Sequence, residues 1–278
     1  MKTLIKRNVL LYFRDKTNIF FSMLAVLIII VLFALFLRLG NWGSTEIRDT
    51  WLMAGVLSVA AITTSMGAFE IVISDRINKT AKGFYASPVS RGKITAAYII
   101  SPFIAGTIMT AVTAIGFGIY IVATGGEMPG AVGLIQLAGL ILLSNITGTA
   151  ILCLIVSLIK SMSAWNTIGT IIGTLSGFLM GVYAPMGILP NAVQTAMVLF
   201  PPFHSAMLFR QILMERPIQA AYLATHGELD TAHIKEIWGV TYSFGDFGVT
   251  PIMSVCYLVA AGVLFFGISV VNMRRLER

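Results

Sequence analysis

The sequence is poor in charge and in cysteine, and it lacks the short motifs of common hydrolases. Only 11% of its 278 residues are charged while 57% are hydrophobic, which excludes a soluble globular protein. Its two cysteines fall inside apolar runs, so neither a disulfide framework nor a zinc site is indicated. A phosphate loop, His-Glu-x-x-His and Gly-x-Ser-x-Gly are all missing. We therefore expect no catalytic residue, bound cofactor or metal site in this chain.

Long apolar runs are what the sequence has instead. Several reach the roughly 20 residues that cross a bilayer as a helix. They predict an all-α polytopic membrane protein, with residues 1–278 forming one transmembrane domain. The first run is too long for a signal peptide and no small-residue cleavage site follows it, so we expect it to be retained. The six predicted spans are 19–38, 51–73, 94–123, 131–159, 164–184 and 251–272.

Basic residues concentrate at the ends of the apolar runs. If both termini are cytoplasmic, the inside segments hold 14 of the 19 lysines and arginines. The net charge of +7 then reflects topology in a cell membrane, and we expect no nucleic-acid partner. Residues 1–18 mix basic and apolar side chains and predict a helix on the inner-leaflet lipid. The inside segments are 1–18, 70–93, 160–163 and 273–278.

A basic interruption separates the second and third spans. Segment 75–93 carries five basic residues and one acid. It begins as a predicted short helix, 75–86, that we place on the cytoplasmic side. A structured basic helix there gives a cytoplasmic partner a surface to push on.

Prolines break the chain between the fifth and sixth spans. They divide residues 186–214 into pieces too short to cross a bilayer, which predicts a re-entrant helical pair. Arg210 in the second piece is either a functional charge inside the membrane or an interfacial residue. The polar stretch 215–250 is expected to be extracellular.

Small residues recur at intervals of four in two spans. They predict close helix contacts, which serve either packing within the chain or a face that slides or lines a pathway during transport. The fifth span has Gly169, Gly173, Gly177 and Gly181, and the third has Gly106, Thr110, Ala114 and Gly118.

Three ionisable residues leave alternatives open. Glu70, at the cytoplasmic end of the second span, is either a proton-coupling site or an interfacial carboxylate paired with a nearby basic residue. His226 and His233 are seven apart, which would place them on one helical face. They indicate either an external metal site or an exposed helix.

Four segments, taken in order, are similar to those of a known family. They resemble the permease subunit of an ATP-binding-cassette exporter of the ABC type-2 family, with the type V exporter fold. The segments are Lys6-Arg7-Asn8 with Arg14-Asp15, Asp75-Arg76 through Ser87-Pro88-Val89-Ser90-Arg91, the proline-broken region ending at Arg210, and the sixth span with its basic tail.

The resemblance implies a working unit of two permeases, identical or related, and two ATP-binding subunits that hold ATP and Mg. It implies that the segment 75–86 couples to those subunits and that the re-entrant pair acts as an outer gate. Residues 78–82 are more basic than the family pattern. The implied coupling residues are Asp75, Arg76, Lys79 and Lys82, and those of the gate are Pro185, Pro190, Pro201 and Arg210.

The expected function is export of an amphipathic or hydrophobic cargo, such as a drug, lipid or peptide, out of the cytoplasm. One alternative is a permease for polysaccharide or glycolipid. Another is an ion- or proton-coupled transporter using Glu70, which predicts transport without ATP. A membrane-embedded enzyme using His226 and His233 is the third alternative, and the missing motifs disfavour it.

Overall fold

The protein is a bundle of α-helices, described by a computed structural model over residues 1–36, 44–244 and 247–276. The predicted all-α class is confirmed. The end of the predicted first span, and Arg278 of the basic tail, lie outside the described residues. The helices are α1 (Lys2–Arg14), α2 (Lys16–Phe36), α3 (Thr45–Ile77), α4 (Thr80–Tyr85), α5 (Arg91–Ala123), α6 (Ala131–Leu158), α7 (Met162–Leu179), α8 (Asn191–Leu199), α9 (Pro201–Leu213), α10 (Glu215–Ala224), α11 (Thr231–Ile237) and α12 (Pro251–Leu276).

Four of these helices, α3, α5, α6 and α12, are long and apolar enough to cross a membrane. The bent pair of α8 and α9 makes a fifth if it is counted as one span. Helices α2 and α7 cover most of the predicted first and fifth spans, with 21 and 18 residues. The protein is therefore a multi-pass membrane protein, and the count of six spans stays a prediction.

Helix α3 is the centre of the fold. Every residue from 47 to 66 is buried, as expected of a helix without a distinct polar face. Helices α2, α5, α6, α7 and α9 pack around it. A displacement at either end of α3 therefore shifts the helices that pack against it, which are most of the bundle.

A buried polar cluster ties α3 to α5 and α6. Asn145 on α6 donates to the Ile141 carbonyl at 2.8 Å and to the Thr110 hydroxyl at 3.3 Å. The Ser65 hydroxyl donates to Asn145 Oδ1 at 3.4 Å. A Cβ on Gly106 would overlap the Ser65 hydroxyl. The small residues of the third span thus pack within the chain, because they let two helices approach a shared amide.

The break after α7 comes earlier than the prolines predict. The helix ends at Leu179, and Gly181 takes a left-handed conformation with φ of 63°. Such a glycine terminates a helix, because other residues resist this conformation. The predicted fifth span, 164–184, was therefore too long, and Gly181 does not belong to its helical face.

Helices α8 and α9 meet at an angle of 95°. A proline is tolerated in the first turn of a helix, where its missing N–H has no helical acceptor. Pro201 and Pro202 accordingly begin α9. Pro190 immediately precedes α8, and Pro185 precedes a 3-10 turn, Met186–Ile188.

The stretch 215–250 folds against the end of the bundle that carries α8 and α9. Besides α10 and α11 it contains a two-residue antiparallel strand pair, β1 (Ser243–Phe244) and β2 (Phe247–Gly248). Ile237 lies against Gly187 in the 3-10 turn, and Trp238 and Val240 are buried. This polar stretch therefore contributes to the core.

The two histidines of this stretch do not share a helix. His226 lies in the turn after α10 with φ of 53°, whereas His233 lies on α11. The predicted common helical face was wrong, because Gly227 and a turn interrupt the segment between them.

Helix α12 closes the bundle against α6. The Thr147 hydroxyl donates to the Leu258 carbonyl at 3.2 Å, and Cys153 Sγ lies 2.8 Å from the Ser269 hydroxyl. Much of the rest of α12 is exposed on the side away from α6, as expected of a helix that faces lipid.

Candidate functional site

An arginine–carboxylate pair joins α1 to the end of α3. Arg7 donates from Nη1 to Asp75 Oδ2 at 2.7 Å and from Nη2 to Asp75 Oδ1 at 3.0 Å. The Tyr98 hydroxyl on α5 donates to the same Oδ2 at 2.9 Å. The hydrogen bonds from Arg7 to Asp75 raise the pKa of the guanidinium above its usual value. A fork of two charge-assisted bonds fixes the orientation as well as the distance of the two helices.

The same arginine reaches α4. Its Cζ lies 5.2 Å from the centre of the Phe84 ring, close enough for a cation–π contact. Only Asn78 and Lys79 separate α3 from α4, and Lys79 has a left-handed backbone with φ of 62°. Helix α4 is thus tied covalently to α3 and through Arg7 to α1. We call Arg7, Asp75, Phe84 and Tyr98 the inner junction, after the side that the sequence predicts to be cytoplasmic.

Arg76 binds the end of another helix. Its Nη1 donates to the carbonyls of Val156 and Ile159 at 3.1 and 3.0 Å. These carbonyls belong to the last turn of α6, where a cation offsets the negative end of the helix dipole.

The four implied coupling residues therefore divide into two classes. Asp75 and Arg76 make contacts within the chain, whereas Lys79 and Lys82 are exposed. Of the four, Lys79 and Lys82 are free to meet another protein.

At the opposite end of the bundle, Arg210 is fully buried. Its Nη2 donates to the carbonyls of Met180 and Gly181 at 2.7 and 2.8 Å, and Nη1 reaches the Gly239 carbonyl at 3.4 Å. Its Cζ lies 5.7 Å from the centre of the Trp51 ring. Arg210 therefore lies inside the protein and caps the end of α7, while the choice between a functional charge inside the membrane and an interfacial residue stays open.

Arg210 forms no ion pair with a carboxylate among the described residues. Trp51 stacks edge-on against Trp238, with ring centres 5.0 Å apart. The carbonyls at the end of α7 and the face of Trp51 thus stabilise the charge. We call Arg210, Trp51, Trp238 and the carbonyls of Met180 and Gly181 the outer lock, after the side that the sequence predicts to be extracellular. It fixes α9 and the 215–250 stretch to α7.

The bend between α8 and α9 is held by His204. This buried side chain places Nε2 2.9 Å from the Val198 carbonyl and Nδ1 3.1 Å from the Ser254 hydroxyl. Since a carbonyl only accepts, Nε2 carries a proton and donates the hydrogen bond to Val198. Tyr257 donates to the Leu199 carbonyl at 2.8 Å. The bend is therefore attached to α12.

A family model described as an ABC-2 family transporter protein matches residues 43–271. The match covers α3 to α12, and so includes α4 and the outer lock. The chain belongs to the ABC-2 transporter family. It is accordingly the membrane component of an ABC transporter, is not itself the ATPase, and works with an ATP-binding-cassette subunit. The comparison with curated proteins found no match.

The glycine face of α7 in this ABC-2 permease is only partly covered. A Cβ on Gly169 would lie 2.8 Å from Met66 Cε on α3, and a Cβ on Gly177 would overlap the Tyr183 ring. A Cβ on Gly173 would meet no atom within 4 Å. Both functions that the sequence left open for this face, packing and an open pathway, thus remain.

A groove runs between α2 and α7 of the permease with α3 as its floor. Its volume is about 570 Å³, and Gly169, Gly173 and Glu70 are in its lining. Glu70 is half-buried and interacts with Asn18 on α2. Among the described residues it takes part in no ion pair. The carboxylate therefore faces the groove without the basic partner that the sequence suggested.

Three residues of the permease site were missed from the sequence. Tyr98 lies in an apolar helix and gives no local signal. Trp51 and Trp238 are far apart in the chain, and only the fold brings them to Arg210. The buried arginine was itself the one available signal, because such a charge requires partners.

Proposed function

We propose that this chain is the transmembrane subunit of an ATP-driven exporter that moves an amphipathic or hydrophobic cargo out of the cytoplasm. Two permeases, as identical copies or as related chains, would work with two ATPase subunits. ATP and Mg would bind to those partners. Both termini would be cytoplasmic in the cell membrane.

The observation that carries the proposal is the inner junction. A short helix with exposed Lys82 is joined to the buried central helix by only two residues, one of them exposed Lys79, and Arg7 connects it to α1. A push on α4 therefore acts on α3, and through α3 on α5, α6 and α7. Rigid elements that move together are how packed proteins convert a local push into a distant rearrangement.

The groove between α2 and α7 supports the expected cargo class. Apolar side chains such as Leu24 and Ile28 line it together with polar ones such as Thr170 and Thr174. An amphipathic molecule satisfies both kinds of wall. In the proposed dimer this groove would face the second permease, and cargo would pass along it toward the α8–α9 pair, the proposed outer gate.

A glycolipid or polysaccharide exporter is the second candidate. Phe21, Trp165 and Tyr183 line the groove beside the polar side chains. Aromatic faces and hydroxyl groups suit a sugar as well as a lipid headgroup.

The test is cargo-stimulated ATP hydrolysis by the permease purified with its ATPase in nanodiscs. Lys79→Glu combined with Lys82→Glu should abolish the stimulation, because the exposed cation of α4 and the one just before it are both reversed. Arg14→Glu combined with Lys16→Glu makes the same charge change at the far end of α1 and should leave stimulation in place.

Unchanged stimulation in the α4 variant would refute the coupling assignment. A permease that binds no ATPase but transports in response to a proton gradient would refute the exporter. In that case Glu70→Gln should abolish the flux, and the proton-coupled alternative would replace the proposal.

A further inference from the structure

A second cavity lies near the outer lock, away from the groove. It has a volume of about 610 Å³ and is bounded by α6, α9, α12 and the 215–250 stretch. Such a volume is typical of a small-molecule site. Ile135 on α6 and Ile252 on α12 flank it and are 73% and 75% exposed. Exposed isoleucines on two apolar helices are expected to face the membrane, so the cavity borders lipid.

The lining changes from polar to apolar with depth. On α6 it contains Gln136 and, one and two turns further in, Leu140 and Leu143. On α9 the order follows the opposite chain direction, from Leu208 at depth to Glu215 just beyond its end. The two helices run in opposite directions, and Gly133 on α6 lies against Ile212 on α9. Glu215 therefore lies further out than Gln136, and the leucines of α6 lie deeper than both. This gradient matches that of a lipid, with its headgroup above its acyl chain.

The polar end holds one charge of each sign. Glu215 and Lys235 both line the cavity, yet they form no ion pair with each other. Among the described residues neither side chain makes a hydrogen bond, and the same is true of the Gln136 amide. By contrast, Arg216 and Glu127 on the neighbouring surface pair with each other at 3.3 Å. The cavity therefore offers an unpaired cation, an unpaired anion and an amide above an apolar wall.

We propose that this cavity binds a membrane phospholipid whose headgroup carries a phosphate and a primary ammonium, the chemistry of phosphatidylethanolamine. The phosphate lies at Lys235 and the Gln136 amide, the ammonium lies at Glu215, and an acyl chain covers Leu140 and Leu143. A phosphatidylglycerol headgroup has a neutral glycerol in place of the ammonium, so it leaves Glu215 without a counter-charge. A choline headgroup has no N–H to donate to the carboxylate.

The test is native mass spectrometry of the permease with its ATPase, delipidated in detergent and titrated with lipids of one acyl composition. Phosphatidylethanolamine should bind in preference to phosphatidylcholine and phosphatidylglycerol. Lys235→Gln and Glu215→Gln should each weaken that binding by about threefold to fivefold, as expected for one partly exposed charge contact. Glu127→Gln and Arg216→Gln remove equal charges outside the cavity and should leave the affinity unchanged.

A change of sign sharpens the test. Glu215→Lys should reverse the preference toward phosphatidylglycerol, because two cations would then face the headgroup. A purely structural role for Glu215 would not change the order of the lipids. Equal binding of the three lipids to the wild-type protein, or an unchanged preference in both glutamine variants, would overturn the proposal. Cargo-stimulated ATP hydrolysis that depends on Lys79 and Lys82 can persist whether or not the lipid binds. The lipid proposal and the exporter proposal can therefore fail separately.

Discussion

Each end of the bundle is organised by one arginine, and the two arginines are held differently. At the inner junction Arg7 faces a carboxylate and its side chain is 33% exposed. At the outer lock Arg210 is fully buried and faces backbone carbonyls at the end of a helix. A partly exposed ion pair contributes about 1 kcal/mol or less. A buried guanidinium that loses its acceptors costs several times as much.

The difference in burial between the two arginines indicates which end of the bundle can rearrange. Water can replace the partners of Arg7 when α1 and α3 separate, so the inner junction can open at low cost. No comparable solvent is available to Arg210, and its carbonyls belong to α7 and to the turn at Gly239. We therefore expect α7, α9 and the 215–250 stretch to move as one rigid body, while the inner junction rearranges.

Removing the outer arginine should have the largest effect on stability. Arg210→Met leaves the Met180 and Gly181 carbonyls buried without a donor, and hydrogen bonds from a charged group contribute about 1.5–3 kcal/mol each. We expect a loss of about 3 kcal/mol or more, measured as thermal unfolding in detergent. Arg210→Lys keeps the charge but not the forked guanidinium, so its stability should fall between those of the wild type and Arg210→Met. An unfolding temperature of Arg210→Met equal to that of the wild type would contradict the outer lock.

The centre that connects the two ends should come next. In Gly106→Ala the new methyl group overlaps the Ser65 hydroxyl, and overpacking of this kind costs about 1–3 kcal/mol. Gly116→Ala on the same helix is the matched control, because a Cβ there meets no atom within 4 Å. It should be neutral or slightly stabilising. Equal unfolding temperatures for the two variants would show that α3 and α5 do not require close approach.

The inner junction should show the smallest effect on stability and a large one on function. A double-mutant cycle with Arg7→Gln and Asp75→Asn should give a coupling free energy of about 1 kcal/mol in unfolding. Both variants should bind the ATPase yet lose most cargo-stimulated hydrolysis, because α4 is no longer fixed to α1. Tyr98→Phe removes one hydrogen bond to Asp75 and should retain most of the cargo-stimulated hydrolysis. Full stimulation in Arg7→Gln would separate the junction from coupling.

The sequence predicted the elements better than their partners. Apolar runs and prolines located the long helices and the bent pair because both act locally. The end of α7 was misplaced because the left-handed Gly181 ends the helix at Leu179, ahead of any proline. Asp75 and Arg76 gave the signal of an exposed charged segment. Only the fold shows that both are used inside the chain, since Arg7 and the end of α6 lie far away in sequence.

The central claim is that the inner junction rearranges while the outer lock keeps its geometry. It is tested most directly by double electron–electron resonance between spin labels. Spin labels at Leu10 and Val89 report on the inner junction, and labels at Leu175 and Leu223 report on α7 against the 215–250 stretch, in a chain with Cys256→Ser. All four positions are exposed. Trapping the ATPase complex with ATP and vanadate should shift the Leu10–Val89 distance and leave the Leu175–Leu223 distance unchanged. A shift at the outer pair with a constant inner pair would contradict the account.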